Sequence, residues 1–147
     1  MIARTLAVCA VALVSEACLA DCTVNIQVGD SLSFDTTEIQ IPTTCDTVTV
    51  NLAHTGSLPV QAMGHNWVLA TDENWQAVAA AGAAAGFEGQ FVPQDDDRVI
   101  AATKLVGGGE SDSITFSTSD LDTDASYTFF CSFPGHWSVM MGSLEFI

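Results

Sequence analysis

The sequence predicts an all-β sandwich or barrel, and three observations carry that reading. Short runs alternate between apolar and polar residues at period two, the pattern of a strand with one face on a core. Polar and glycine-rich turns separate those runs at close intervals. One stretch alone is long and alanine-rich enough to read as helix.

The elements follow in chain order. "CTVNIQV", "EIQIP" and "TVTVNLAH" alternate cleanly, and "GHNWVLA" is a compact apolar run after a glycine. "RVIAATKLV", "SDSITFST", "SYTFFCSF" and "MGSLEFI" come later, divided by "GGGE" and by the acidic "SDLDTDA". Regular short strands with such turns predict antiparallel pairing. Between them "DENWQAVAAAGAAAGF" reads as one or two helical turns, a flap around residues 72–86 capped by Thr71 or Asp72 and ended by glycine. Trp67 and Trp75 read as core or flap packing.

Residues 1–20 have the layout of a secretory signal: Arg4, the apolar "LAVCAVALV", and a small-residue end that places cleavage after Ala20. The apolar run is too short to span a bilayer as a mature helix, which weighs against membrane insertion. Lipid attachment at Cys18 or Cys22 would have to accommodate the charges of Glu16 and Asp21. The expectation is an exported, soluble protein whose residues 21–147 form one domain, long enough to bury a core.

The whole chain carries 3 basic and 18 acidic residues, a formal charge of −15, and removing Arg4 with Glu16 leaves that charge unchanged. Nucleic acid and anionic membranes need positive surface, so neither fits as a partner. A basic partner fits; acidity that serves solubility in a saline habitat fits equally well. Of the five cysteines, Cys22, Cys45 and Cys131 outlast cleavage. In an oxidising compartment two of three are expected to pair. A Cys22–Cys45 bridge would close a loop of about two dozen residues and contribute roughly 3 kcal/mol in the chain-entropy description, leaving Cys131 over.

That remaining thiol lies in "CSFPGHWSVMM", which gathers Cys131, His136 and Met140 in the spacing Cys-x4-His-x3-Met. A thiolate, imidazoles and a distant thioether are the donor set of copper electron-transfer sites. His65 in "MGHNW" is the best candidate for a second imidazole, with His54 the only other histidine. Met140 and Met141 compete for the axial place, but neighbouring strand residues face opposite ways, and spacing favours Met140.

Through "NLAHTGSLP", "MGHNWVL", "DDDRVIAATKLVGGGE" and "FFCSFPGHWSVMMGSL" the sequence resembles the azurins, blue-copper proteins of the cupredoxin family, over essentially the whole chain after residue 20. The resemblance implies an eight-stranded Greek-key sandwich with a helical flap and a Cys22–Cys45 bridge. It implies one type 1 copper held by His65, Cys131 and His136, with Met140 and the Gly64 carbonyl as weak axial neighbours. It gives the amides of Asn66 and Phe133 as hydrogen-bond donors to the copper-bound sulfur, and His54 as a non-ligand histidine. It makes a docking face of Leu32, Leu58, Pro59, Ala62, Met63, Phe133 and Pro134 around His136. Trp137 either enlarges that face or shields the loop, and Ser138 makes it more polar. The function implied is periplasmic one-electron transfer between redox partners such as c-type cytochromes or periplasmic reductases, not catalysis. The competing readings are a copper storage or delivery protein, a zinc site on the same ligands, and an enzyme with Cys131 as nucleophile.

Overall fold

The computed structural model describes residues 21–147; the expected signal segment, 1–20, lies outside the described residues. Period-two alternation is obeyed in Thr23–Val28 (β1), Glu38–Ile41 (β2) and Thr47–His54 (β3), which turn Ile26, Ile39, Val50 and Leu52 inward and leave Thr23, Asn25, Glu38 and Gln40 in water. Val68–Thr71 (β4), Ala101–Ala102 (β5), Ser111–Ser117 (β6), Tyr127–Phe130 (β7) and Met141–Phe146 (β8) complete eight strands among the described residues. They form a three-stranded sheet ordered β1-β3-β6 and a five-stranded sheet ordered β2-β8-β7-β4-β5.

The expectation of purely antiparallel pairing is corrected: β1 runs parallel to β3, and β2 parallel to β8. After β1 the chain crosses to the other sheet for β2 and returns for β3 in the direction of β1. Local alternation records which residues face inward, not which strand lies alongside. The long strand expected over 98–106 contracts to Ala101–Ala102, although Ile100 and Thr103 still donate backbone hydrogen bonds to the Leu69 and Trp67 carbonyls at 2.9 Å.

The main core fills the space between the sheets. Trp67 sits at its centre, its ring 6.2 Å from Phe116 of one sheet and 5.9 Å from Phe129 of the other. Strands β4 and β7 do not alternate because both of their faces are covered. Their outer face, with Val68, Ala70 and Phe130, packs on the helix Trp75–Ala85. The flap therefore has three turns rather than the expected one or two, since this second cluster buries Val78 and Ala79 on its inner face. Neither expected cap is used: Asn74 occupies the N-cap, Asp72 accepts a hydrogen bond from the Thr128 hydroxyl, and Thr71 Oγ1 accepts one from Asn74. The helix does end at a glycine, Gly86, whose φ of 66° suits a residue without a Cβ. A further single-turn helix, Val60–Met63, was not expected from sequence; with the flap it makes two helices among the described residues, numbered α1 and α2 in chain order. Cys22 and Cys45 are bridged, with Cα atoms 5.7 Å apart, which ties the start of β1 to the loop before β3 and leaves Cys131, buried, as the free cysteine among the described residues.

Candidate metal centre

Two segments meet at one pole of the sandwich. His65 follows α1 and Gly64, and its backbone forms a two-bond bridge with Val106, at 3.0 and 2.8 Å. Cys131 follows β7 directly, and the chain turns back so that its amide donates to the Met140 carbonyl at 3.0 Å while the Met140 amide donates to the His136 carbonyl at 2.9 Å. This extends the β7–β8 register, in which Phe130 pairs with Met141. Cys131, His136 and Met140 are therefore held in one loop whose two ends are pinned together by backbone hydrogen bonds.

The sulfur of Cys131 lies 3.7 Å from Nδ1 of His65 and 3.6 Å from Nδ1 of His136. Their three donor atoms all lie within 4.8 Å of one another, and all three residues are buried. An ion bonded at about 2.0 Å to an imidazole nitrogen and about 2.3 Å to a thiolate, with an angle near 110–120°, separates those donors by roughly 3.5–3.7 Å. The pocket is thus already spaced for a metal ion. Its soft sulfur and two nitrogens suit copper or zinc.

Each ring is held from behind. Nε2 of His65 donates to the Gly29 carbonyl at 2.9 Å, which fixes the tautomer that leaves Nδ1 as an acceptor toward Cys131. His54 stacks on His65 with centroids 5.2 Å apart, but both of its nitrogens are occupied: Nε2 donates to the Met63 carbonyl at 3.0 Å, and Nδ1 accepts from the Gly56 amide at 3.1 Å. It has no lone pair to offer an ion. The ring of His136 lies 4.6 Å from that of Phe133. Met140 is buried in the main core beside Cys131, whereas Met141 is partly exposed and packs toward Phe130 in the second cluster. Gly64 is buried at the end of α1.

Burial sets the proton inventory. It pushes the Cys131 thiol up to about 11, against hydrogen bonds from the Asn66 and Phe133 amides that lower it. It pulls His65 down to about 4, opposed by the Gly29 carbonyl, and lowers His136 as well. At neutral pH the metal-free pocket holds one thiol proton and two neutral imidazoles. A cation bound there would displace the thiol proton.

Of the five exposed large hydrophobic residues among the described residues, Leu32, Leu58, Phe87 and Val139 belong to loops of the metal end or the flap, and the fifth is Ile147. Pro59, Ala62 and Pro134 are also exposed, and Met63 and Phe133 half-buried. Trp137 is half-buried with its ring 6.0 Å from Trp75, so it leans on the flap. Sequence reasoning missed Val139, although an apolar residue between His136 and Met140 was a usable signal. It also missed Phe87 and the Gly29 carbonyl. It missed Ser132, whose amide donates to Asn66 Oδ1 at 2.8 Å and whose hydroxyl accepts from Asn66 Nδ2 at 2.8 Å, cross-linking the two ligand segments.

Known proteins share both sequence and fold. A family model described as copper binding proteins, plastocyanin/azurin family, matches residues 20–146. The azurin of Pseudomonas fluorescens biotype C is 49% identical over 125 residues, which are 85% of this chain and 98% of that one. The azurin of Pseudomonas aeruginosa is 46% identical over 145 residues, 98% of each chain. Among solved structures, the azurin Az-iso2 of Methylomonas sp. strain J superposes with a TM-score of 0.84 at 44% identity, covering 87% of this chain and 99% of that one. With an eight-stranded sandwich and a buried His, Cys, His cluster at its pole, this chain belongs to the plastocyanin/azurin family of copper-binding proteins.

Proposed function

We propose that this chain is an exported, periplasmic shuttle that passes single electrons between redox partner proteins through one type 1 copper. In this reading residues 1–20 are a signal cleaved after Ala20, and 21–147 are the working domain. His65, Cys131 and His136 would hold the ion, with the Met140 thioether and the Gly64 carbonyl as weak further donors. The observation that carries the proposal is the closed donor set: three soft or intermediate donor atoms within 4.8 Å, in residues held by backbone pairing.

Copper bound there would supply a one-electron couple between its cuprous and cupric forms. The chain's part is to keep the donors still. Gly29 holds the His65 ring, the β7–β8 turn holds Cys131 and Met140, and the Asn66 and Phe133 amides draw charge from the thiolate, which raises the potential. His65 and Cys131 have no exposed surface, whereas His136 keeps 5%. With copper bound, electrons would therefore enter and leave at the His136 side, inside the apolar face of Leu32, Leu58, Pro59, Ala62, Met63, Phe133 and Pro134, with Trp137 at its flap margin. A small apolar contact suits the brief encounters of a carrier. The formal charge of −15 favours a basic partner, such as a c-type cytochrome or a periplasmic reductase, by long-range attraction.

Burial argues against the other readings. A storage or delivery protein needs ligands open to exchange, and these are closed. A thiol pushed up to about 11 is a poor nucleophile, which disfavours an acyl-transfer enzyme built on Cys131. The test is electron exchange with a basic c-type cytochrome in stopped flow. The rate is expected to fall steeply as ionic strength rises, and Leu58→Gln, which removes apolar contact without changing charge, to slow it at every salt concentration. A rate indifferent to both would refute this docking face.

A further inference from the structure

Beyond Gly86 the chain makes a tight turn, in which the Gln90, Phe91 and Val92 amides donate to the Phe87, Gly86 and Gly89 carbonyls at 2.9, 2.9 and 3.0 Å. Gln90 and Phe91 are consecutive non-glycine residues in the left-handed region, with φ of 60° and 54°. Such conformations are uncommon and persist where surrounding contacts over-determine them. The contacts here lead to the metal pocket. The Gln90 carbonyl accepts from Asn66 Nδ2 at 3.0 Å, and its Oε1 accepts from the Leu105 amide at 2.8 Å. Asn66 follows His65, and Leu105 precedes Val106, the bridge partner of His65. The ring of Phe91 lies 5.4 Å from Phe133, which lies against His136. Gly82 of α2 makes this approach possible, since a Cβ there would collide with the Phe91 carbonyl oxygen.

We infer that Gln90 is a positioning residue for the metal pocket, by which the flap orients the Asn66 carboxamide and so braces Cys131. With one Asn66 N–H committed to Gln90 and another to the Ser132 hydroxyl, Asn66 Oδ1 faces the Ser132 amide. That orientation joins the His65 segment to the Cys131 segment and fixes the Asn66 backbone, whose amide bonds the Cys131 sulfur. The backbone at position 90 would favour glycine or asparagine. What the longer carboxamide adds is reach to Leu105. The inference rests on the copper reading above, but its structural half does not need the metal.

The test compares Gln90→Ala, Gln90→Gly and Gln90→Glu with the parent. In the metal-free protein, Ala and Gly are expected to speed exchange of the Ser132 amide, followed by NMR, at least ten-fold. Loaded with cupric ion, both should have a lower reduction potential and a displaced visible band. Glu keeps the acceptor for Leu105 and should restore all three readouts. Gly accepts the left-handed backbone freely, so a Gly variant that matches the parent while Ala does not would reduce the effect to strain and overturn the inference. Unchanged exchange, potential and band in both, with only a lower melting temperature, would overturn it too. A parent that stays colourless with cupric ion refutes the copper reading instead, and the exchange measurement still decides the role of Gln90. If Ala does not fold, the Gly and Glu pair carries the comparison.

Discussion

Acid should loosen the metal-free protein through His65. The ring is fully buried, and burial pulls its pKa from 6.5 down to about 4. The unfolded chain therefore binds a proton that the folded chain refuses, and stability falls as pH drops from about 6.5 toward 4. Between pH 7 and pH 4.5 the linkage relation gives a loss of at most about 2.4 kcal/mol from this one residue, at about 1.36 kcal/mol per pKa unit. His136 adds to it in the same direction, because its own pKa is lowered by burial. Partial neutralisation of the many carboxylates relieves self-repulsion and opposes both. The assay is urea unfolding of the metal-free protein at the two pH values, beside His65→Gln, which lacks the titrating group. With a slope of roughly 1–3 kcal/mol per molar urea, the parent midpoint should fall by about 1–2 M more than that of the variant. Parallel pH profiles for the two proteins would refute the claim that His65 is held neutral by its burial.

Other outcomes follow from the same geometry. Replacing both Cys22 and Cys45 with alanine opens a loop whose ends are 23 residues apart and should cost about 3 kcal/mol in denaturant unfolding, while the visible spectrum of the copper-loaded protein stays unchanged. Met140→Leu should alter the reduction potential measured by voltammetry far more than copper retention on dialysis, because an axial thioether bond is weak; loss of the metal would show that Met140 is a principal ligand.

Local physics explains what was legible in the sequence. Strand β3 could be read from "TVTVNLAH" because its inward Val48, Val50 and Leu52 are apolar, with the buried His54 at its end, and its outward residues are small or polar. The pocket's three donors were legible because Cys131 and His136 share one short turn, and few histidines remained to complete the set. Partners set by distant chain were not legible. Nothing in β1 or β2 records that each lies parallel to its neighbour. The helix was underestimated because its length depends on a second cluster formed with Val68 and Phe130 from two separate strands. Gln90 carried no signal at all, since glutamine is not a residue that marks a left-handed turn. The sequence left both roles of Trp137 open, enlarging the docking face or shielding the loop, because its neighbour across the flap, Trp75, is brought there only by the fold.

Copper binding by the buried cluster is the claim on which the account turns, and titration of the metal-free protein with cupric ion tests it most directly. One equivalent should produce an intense visible absorption and a narrow-hyperfine electron-spin signal in the parent, with neither in Cys131→Ser. A parent that remains colourless, or a serine variant that keeps the band, would contradict it.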